Sequence, residues 1–363
     1  MLHIDDLLRE LVEKEASDLH LRVGEPPVMR VHGILTRTKY EILNDRLMYD
    51  LVHPIMNPDR EARFEQTLEL DTSYAIPGLS RFRVNVFRQQ GHIGAVMRVI
   101  PFRIKTIDEL FLPQVTKEIA MLPRGLVLVT GPTGSGKSTS LAAMIDLINS
   151  SKPSNIVTIE DPIEYVHQDK SSAINQREVG VDTHSFADAL KHVMRQNPDV
   201  ILVGEMRDLE TIKLAITAAE TGHLVFATLH TTDAPQTVDR IIDVFEPEAQ
   251  QQIRMQLSTT LQAVISQTLL MKKSGNGRVA AFEVMRCTSA IRTLIREGKT
   301  HQLATDIQTG QNFGMQTLDN CLLDLVRREL VDYEDALAKT SSPADFKQRA
   351  ERLGLVTERD LFH

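Results

Sequence analysis

The clearest chemistry in the chain lies in a glycine-rich turn that carries one lysine and several hydroxyls. Gly131-Pro132-Thr133-Gly134-Ser135-Gly136-Lys137-Ser138-Thr139 contains the spacing G-x-x-x-x-G-K-[ST]. Its glycines let backbone N–H groups wrap a phosphate, Lys137 places a cation on the β- and γ-phosphates, and the Ser138 hydroxyl suits Mg2+. The apolar run 125–130 leads into this turn, and the apolar residues of 140–149 recur at helical spacing, so the context is strand, loop, helix. An anion would then also meet the unpaired N–H groups at the start of the helix. An ordinary strand–helix turn has no need of Lys-Ser after its last glycine.

Three more apolar runs end in groups that could act on such a phosphate. The run 156–160 delivers Glu160, Asp161 and Glu164; any one of these carboxylates could orient an attacking water, and spacing alone leaves the choice open. The run 200–205 ends in Glu205, placed as a carboxylate that holds Mg2+ and its waters, with Gly204 where an aspartate is more common. The run 224–230 ends in His230, either a reporter of the γ-phosphate or a simple hydrogen-bonded loop residue. All four runs are rich in Val, Ile and Leu, as parallel strands buried on both faces are. A doubly wound sheet is expected, with its functional groups beyond the carboxyl ends of the strands.

Around this core the periodicities change. Ile4, Leu7, Leu8, Leu11 and Val12 share one helical face up to about residue 15, strands are expected over 17–23 and 28–32, and a polar helical stretch runs to about 66. In 79–86, Arg81, Arg83 and Asn85 alternate with Phe82, Val84 and Val86, which predicts a strand with one buried and one cationic face. Another strand, 95–100, carries Arg98. The segments are therefore a small α/β domain over 1–100, a linker over 101–118, a phosphate-loop domain over 119–285 and a helical region over 286–363. Within the third, Ser185 begins a capping box and Gly222 ends a helix that starts near Leu209. Ser274-Gly-Asn-Gly277 joins two strand-like runs as a hairpin. The last twenty or so residues are expected to be loosely held.

Composition bounds the partners. With 363 residues, 42% hydrophobic and 25% charged, the chain reads as an ordinary globular protein of two or three domains. A formal charge of −8 gives no general attraction to nucleic acid or anionic lipid. No basic-then-apolar leader and no bilayer-length apolar stretch is found, so a cytoplasmic protein without direct membrane insertion is expected. Cys287 and Cys321 form no C-x-x-C pair; they read as core thiols or helix-face residues, not a zinc site or disulfide framework.

Taken together, these residues resemble the type IV pilus retraction ATPases, the twitching-motility motors of the secretion ATPase superfamily, almost from end to end. Besides the phosphate loop, 158–164 resembles the family's acidic box, 203–208 its atypical magnesium-binding strand, and 222–230 its histidine box. The segment 290–297, Ala-Ile-Arg-Thr-Leu-Ile-Arg-Glu, departs from a motif associated with retraction only at Thr293. The resemblance implies an α/β fold with a RecA-like motor domain, a smaller PAS-like N-terminal domain and a C-terminal helical region. It further implies ATP and Mg2+, Glu164 as catalytic base, Glu205 in the Mg2+ shell, His230 as γ-phosphate sensor, and Arg81, Arg83 and Arg98 as arginine fingers. A ring-shaped homohexamer working on an inner-membrane pilus platform protein is implied as well, peripheral at that membrane.

The alternatives are a pilus-assembly or type II secretion ATPase with the same motor, and an accessory retraction paralogue. The first group commonly carries a four-cysteine insertion and a longer N-terminal region. From another class, a nucleotide switch or P-loop kinase would bind the triphosphate but leaves the arginine-bearing strand unexplained.

Overall fold

In the computed structural model, which describes residues 2–31, 33–100, 103–275 and 277–356, the chain forms two compact units. One gathers Met1–Arg103 with Pro162–Val166, the other Ile104–Asp161 with His167–His363. His32 of the expected second strand, Pro101 and Phe102 of the linker, Asn276 of the hairpin turn and 357–363 of the tail lie outside the described residues.

The first unit is built on a six-stranded antiparallel sheet. Its strands are β1 (Ala16–Arg22), β2 (Val28–Val31), β3 (Ile34–Arg37), β4 (Glu69–Ile76), β5 (Ser80–Gln89) and β6 (His92–Ile100), in the order β3-β2-β1-β6-β5-β4. Helices α1 (Ile4–Glu13), α2 (Asp45–Val52) and α3 (Pro58–Thr67) share one core with the apolar face of the sheet. Leu7, Leu8, Leu11, Leu19, Phe64, Phe82, Val84 and Val86 all belong to it. Strands β3 and β4 go beyond the sequence reading, since β3 is an edge strand exposed at every position and β4 puts Thr72 inward where an apolar residue would have signalled a strand.

The second unit is built on a seven-stranded sheet. Its strands are β7 (Gly125–Thr130), β8 (Asn155–Glu160), β9 (Ala173–Glu178), β10 (Val200–Val203), β11 (Leu224–Leu229), β12 (Leu261–Met271) and β13 (Arg278–Arg286). The order is β13-β12-β7-β11-β10-β8-β9, parallel throughout except for the antiparallel β13 at one edge. Successive residues of β7 feed opposite cores: Leu126 and Leu128 face one, Val127 and Val129 the other. That two-sided burial is what made the four central strands read as continuous apolar runs.

Helices α4 (Val115–Ala120) and α5 (Lys137–Ser151) cover one face. The other is covered by α6 (Phe186–Val193), α7 (Leu209–Glu220), α8 (Ala234–Asp243), α9 (Pro247–Thr260), α10 (Ser289–Glu297) and α11 (Leu303–Thr309). Helices α12 (Leu318–Arg327), α13 (Tyr333–Leu337) and α14 (Pro343–Arg352) pack on the β12–β13 hairpin through Leu270, Val279 and Ala281. The helical region after residue 285 thus stays in the same unit as the sheet. Against the expected looseness of the tail, α14 buries Phe346 completely. Both cysteines are thiols raised by burial, Cys287 to about 12.

Candidate nucleotide site

Strand β7 is buried along its whole length and releases the chain at Gly131 into a loop that re-enters helix at Lys137. Gly131, Gly134 and Gly136 take φ of +140°, +77° and +91°, values that L side chains rarely adopt. Pro132, Thr133 and Gly134 form the exposed crest while Ser135 turns inward. Gly136 caps α5 and the first helical bond runs from Ser140 N–H to its carbonyl at 3.0 Å, so the N–H groups of the first helical turn precede the helix's own ladder and point toward the loop. Lys137 Nζ donates to the loop's own carbonyls, Gly131 O at 2.8 Å and Pro132 O at 3.2 Å. The lysine is therefore held over the loop by weak acceptors that a phosphate would replace with stronger ones.

The neighbouring strand tips bring two of the expected groups together. Leu229 of β11 lies opposite Thr130 of β7, so His230 and Gly131 leave adjacent strands at the same level, about 5 Å apart along the ladder. On the far side of β11, β10 delivers Glu205. Met206 N–H donates to Thr228 O at 3.1 Å, and the Thr228 hydroxyl donates to Gly204 O, which joins the two tips. His230 Nε2 meets Glu205 Oε1 at 2.6 Å, and Arg207 Nε meets the same oxygen at 2.7 Å. Burial alone would raise the Glu205 pKa; the Arg207 and His230 contacts outweigh it and hold the carboxyl below its ordinary value. An ionised carboxylate only accepts, so the ring donates here.

Gly204 also explains the missing aspartate. Its N–H donates to Ile159 O at 2.7 Å, and a Cβ there would stand 3.0 Å from that oxygen and 3.2 Å from Glu160 Cα. A side chain at 204 would press on the β8 backbone, which fits a glycine there with the acid on the next residue.

The three carboxylates after β8 have different surroundings. Glu160 Oε1 accepts from Thr158 Oγ1 at 2.7 Å and from Gln176 Nε2 of β9 at 3.1 Å, which ties it to the sheet edge. Asp161 lies in the electrostatic reach of Arg207. Glu164 belongs to the first unit, where Arg83 Nη1 reaches its Oε1 at 3.5 Å.

Register explains why the arginines cluster in that first unit. Arg30, Asp18, Arg98, Arg83 and Ser73 stand directly opposite one another on β2, β1, β6, β5 and β4, so the five form one transverse row on one face. Arg98 Nε donates to the buried Asp18 carboxylate at 2.8 Å, and Arg30 approaches it at 3.5 Å. Arg81 Nη2 donates to Ser73 Oγ at 2.6 Å. Arg83, paired at 3.5 Å with both side chains about 40% exposed, is held most loosely.

Sequence reasoning gave no role to Arg207, whose long exposed side chain folds back on Glu205, or to Gln267 and Ser266 of β12, which back the phosphate loop. Ser266 and Thr130 share a buried hydroxyl pair at 2.8 Å. As for a metal, Ser138 and Glu205 are oxygen donors of the kind Mg2+ takes, and that ion uses one or two protein ligands with phosphate and water for the rest. Among the described residues no group of three His, Cys, Asp or Glu could hold a metal ion.

Comparison with known proteins gives the family. The sequence profile of type II/IV secretion system proteins matches residues 2–331. The type IV pilus retraction ATPase PilT of Pseudomonas aeruginosa is 53% identical over 345 residues, 95% of this chain and 100% of that one. A twitching motility protein of Neisseria gonorrhoeae is 52% identical over 310 residues, 85% of this chain and 83% of its own length. The crystal structure of the pilus retraction motor PilT with bound ADP matches with a TM-score of 0.89 at 45% identity, covering 96% of this chain and 100% of that one.

Proposed function

The chain belongs to the type II/IV secretion system protein family, and on that premise we propose how its strand tips and its arginine-bearing sheet divide the work of hydrolysis. It is an ATPase of type IV pilus retraction, the motor activity behind twitching motility. One observation carries the division of labour: the Lys137 loop and the Glu205–His230 pair leave neighbouring strands at one level, while Glu164 keeps company with Arg83 in the other unit.

The loop 131–139 holds the phosphates through its N–H groups, and Lys137 exchanges the carbonyls of Gly131 and Pro132 for the β- and γ-oxygens. Ser138 and Glu205 are the residues that would hold Mg2+, whose charge offsets that of the phosphate oxygens. His230 senses the γ-phosphate: a new acceptor at the ring competes with Glu205, and the change passes into α8, which starts four residues later. Glu164 orients the attacking water and takes its proton. Arg83 is the first choice for a cation that stabilises the transition state; Arg98 and Arg81, anchored to Asp18 and Ser73, hold the row in place and supply further positive charge. The triphosphate they serve belongs to this subunit or to a neighbour in a homohexameric ring. The ring draws on an inner-membrane pilus platform protein as its partner, from the cytoplasmic side. Among the described residues no helix is long and apolar enough to cross a membrane, which suits a peripheral location.

The test separates binding from chemistry. Glu164→Gln should bind ATP as tightly as the parent while steady-state phosphate release falls on the order of a thousandfold, and Lys137→Ala should lose binding as well. Normal turnover by Glu164→Gln would end its assignment as base. Deleting the gene should give hyperpiliated cells that do not twitch; bald cells would mean an assembly motor, and normal twitching an accessory paralogue.

A further inference from the structure

Strand β12 lies beside β7, with Ser266 opposite Thr130, so Gln267 stands level with the first residue of the phosphate loop. Its contacts with that loop are unusually close. A Cβ on Gly131 would come within 2.2 Å of Gln267 O, and one on Gly136 within 3.1 Å of Gln267 Nε2. Between them, Gln267 Nε2 donates to Ser135 O at 2.7 Å. Gln267 and Ser135 are each 3% exposed.

We infer that Gln267 is a positioning residue for nucleotide binding, setting the direction in which the phosphate loop presents its Gly136 N–H. The reason is the planar trans peptide: the Ser135 carbonyl and the Gly136 N–H point in opposite directions. A donor that draws the carbonyl down onto β12 therefore turns the N–H up, away from the sheet, and polarises it as a donor. The inference rests on the nucleotide-binding reading above and adds to it the part of the sheet that aims the loop.

A role in stability alone does not account for this residue. Gln267 Oε1 and Ser135 Oγ are both buried without a hydrogen-bond partner among the described residues, and an unpartnered buried acceptor is destabilising. A methionine of similar length would fill the space and remove the unpartnered Oε1, while leaving Ser135 O without this donor. The two changes offset one another in stability, whereas binding loses the aimed N–H outright.

The experiment uses the full chain, with a fluorescent ADP analogue titrated into wild type, Gln267→Met and Gln267→Glu, and thermal unfolding of each without nucleotide. Gln267→Met should melt close to the wild-type temperature while its Kd rises about tenfold, the loss of one hydrogen bond. Gln267→Glu supplies a readout that packing alone would not move. Protonated, it can still donate to Ser135 O; ionised, it cannot, and it adds negative charge beneath an anion site. Its Kd relative to wild type at the same pH should therefore rise between pH 6 and pH 8. A lower melting temperature with unchanged Kd in Gln267→Met would make the residue a core filler and overturn the inference. So would a pH-independent Kd ratio in Gln267→Glu, which also decides the matter should the methionine variant fail to fold. If wild type itself binds no nucleotide, the nucleotide reading fails first, an outcome distinct from the failure of Gln267 alone.

Discussion

The two sheets each shelter a carboxylate, and they do so in opposite ways. In the first unit Asp18 sits in the middle of a row of arginines: Arg98 donates to it at 2.8 Å and Arg30 lies 3.5 Å away. Burial pushes its pKa up, but Arg98 and Ser17 outweigh that and hold it below the ordinary value. In the second unit Glu283 of β13 has no cation beside it among the described residues. It accepts from Ala234 N–H at the start of α8, at 2.8 Å, and from Leu318 N–H at the start of α12. Burial, with help from Asp233 and Asp319, raises it to about 7. The lesson is that helix N-termini can hold a carboxyl in place without keeping it ionised, whereas guanidinium groups do both.

The contrast is sharpest in its pH dependence. Glu283 is protonated in the folded chain where it would already be ionised in the unfolded one, so between about pH 4.5 and 7 unfolding releases a proton. Stability from this group is full below that window and falls as pH rises through it, by on the order of 3 kcal/mol. Denaturant melts of wild type and Glu283→Gln across pH 4.5 to 7 should show that slope only in wild type; a parallel pair of curves would break the comparison. Asp18 acts in the other direction: its contribution is present at neutral pH and is lost as pH falls below the ordinary aspartate range. Asp18→Asn should cost about 2 kcal/mol at pH 7 and remove part of the acid-induced loss, which melts between pH 2.5 and 5 would reveal. The smallest effect is expected at Arg83, whose exposed 3.5 Å pair is worth under about 1 kcal/mol. Arg83→Gln should leave the melting temperature nearly unchanged while turnover drops, and Arg98→Gln should cost more stability because Asp18 loses its nearest partner. Equal destabilisation by both would contradict the difference in anchoring drawn here.

What could be read without coordinates follows from the same physics. Strands β7, β8, β10 and β11 are covered on both faces, so their apolar runs stood out, and Phe82, Val84 and Val86 alternate with Arg81, Arg83 and Asn85 because one face of β5 is bare. β9 escaped notice because it is a polar edge strand, Ala-Ile-Asn-Gln-Arg-Glu, with only Glu178 buried. The pairing of β12 with β7 joins residues far apart in the chain. Nothing local in Gln267-Thr-Leu-Leu-Met271 says that its first residue braces a loop more than a hundred positions earlier. The company of Glu164 was equally hidden, since its neighbour Arg83 comes from a segment of quite different pattern. The retraction-associated helix, by contrast, shows a plain internal role: Ile291 and Ile295 are fully buried, and Arg292 donates to Ser258 O and Thr259 O at the end of α9 and to Gln262 of β12.

The short insert Pro162–Val166 has a practical outcome for anyone dividing the molecule. A fragment that stops at Arg103 would look complete by length yet lack the stretch bearing Glu164, and a motor fragment starting at Ile104 would carry that stretch away from its own fold. The polypeptide passes between the units at 103–104, 161–162 and 166–167, so a cut at the first junction alone leaves Pro162–Val166 covalently joined to the second unit. The turn that follows β8 is thus backbone that the two units share.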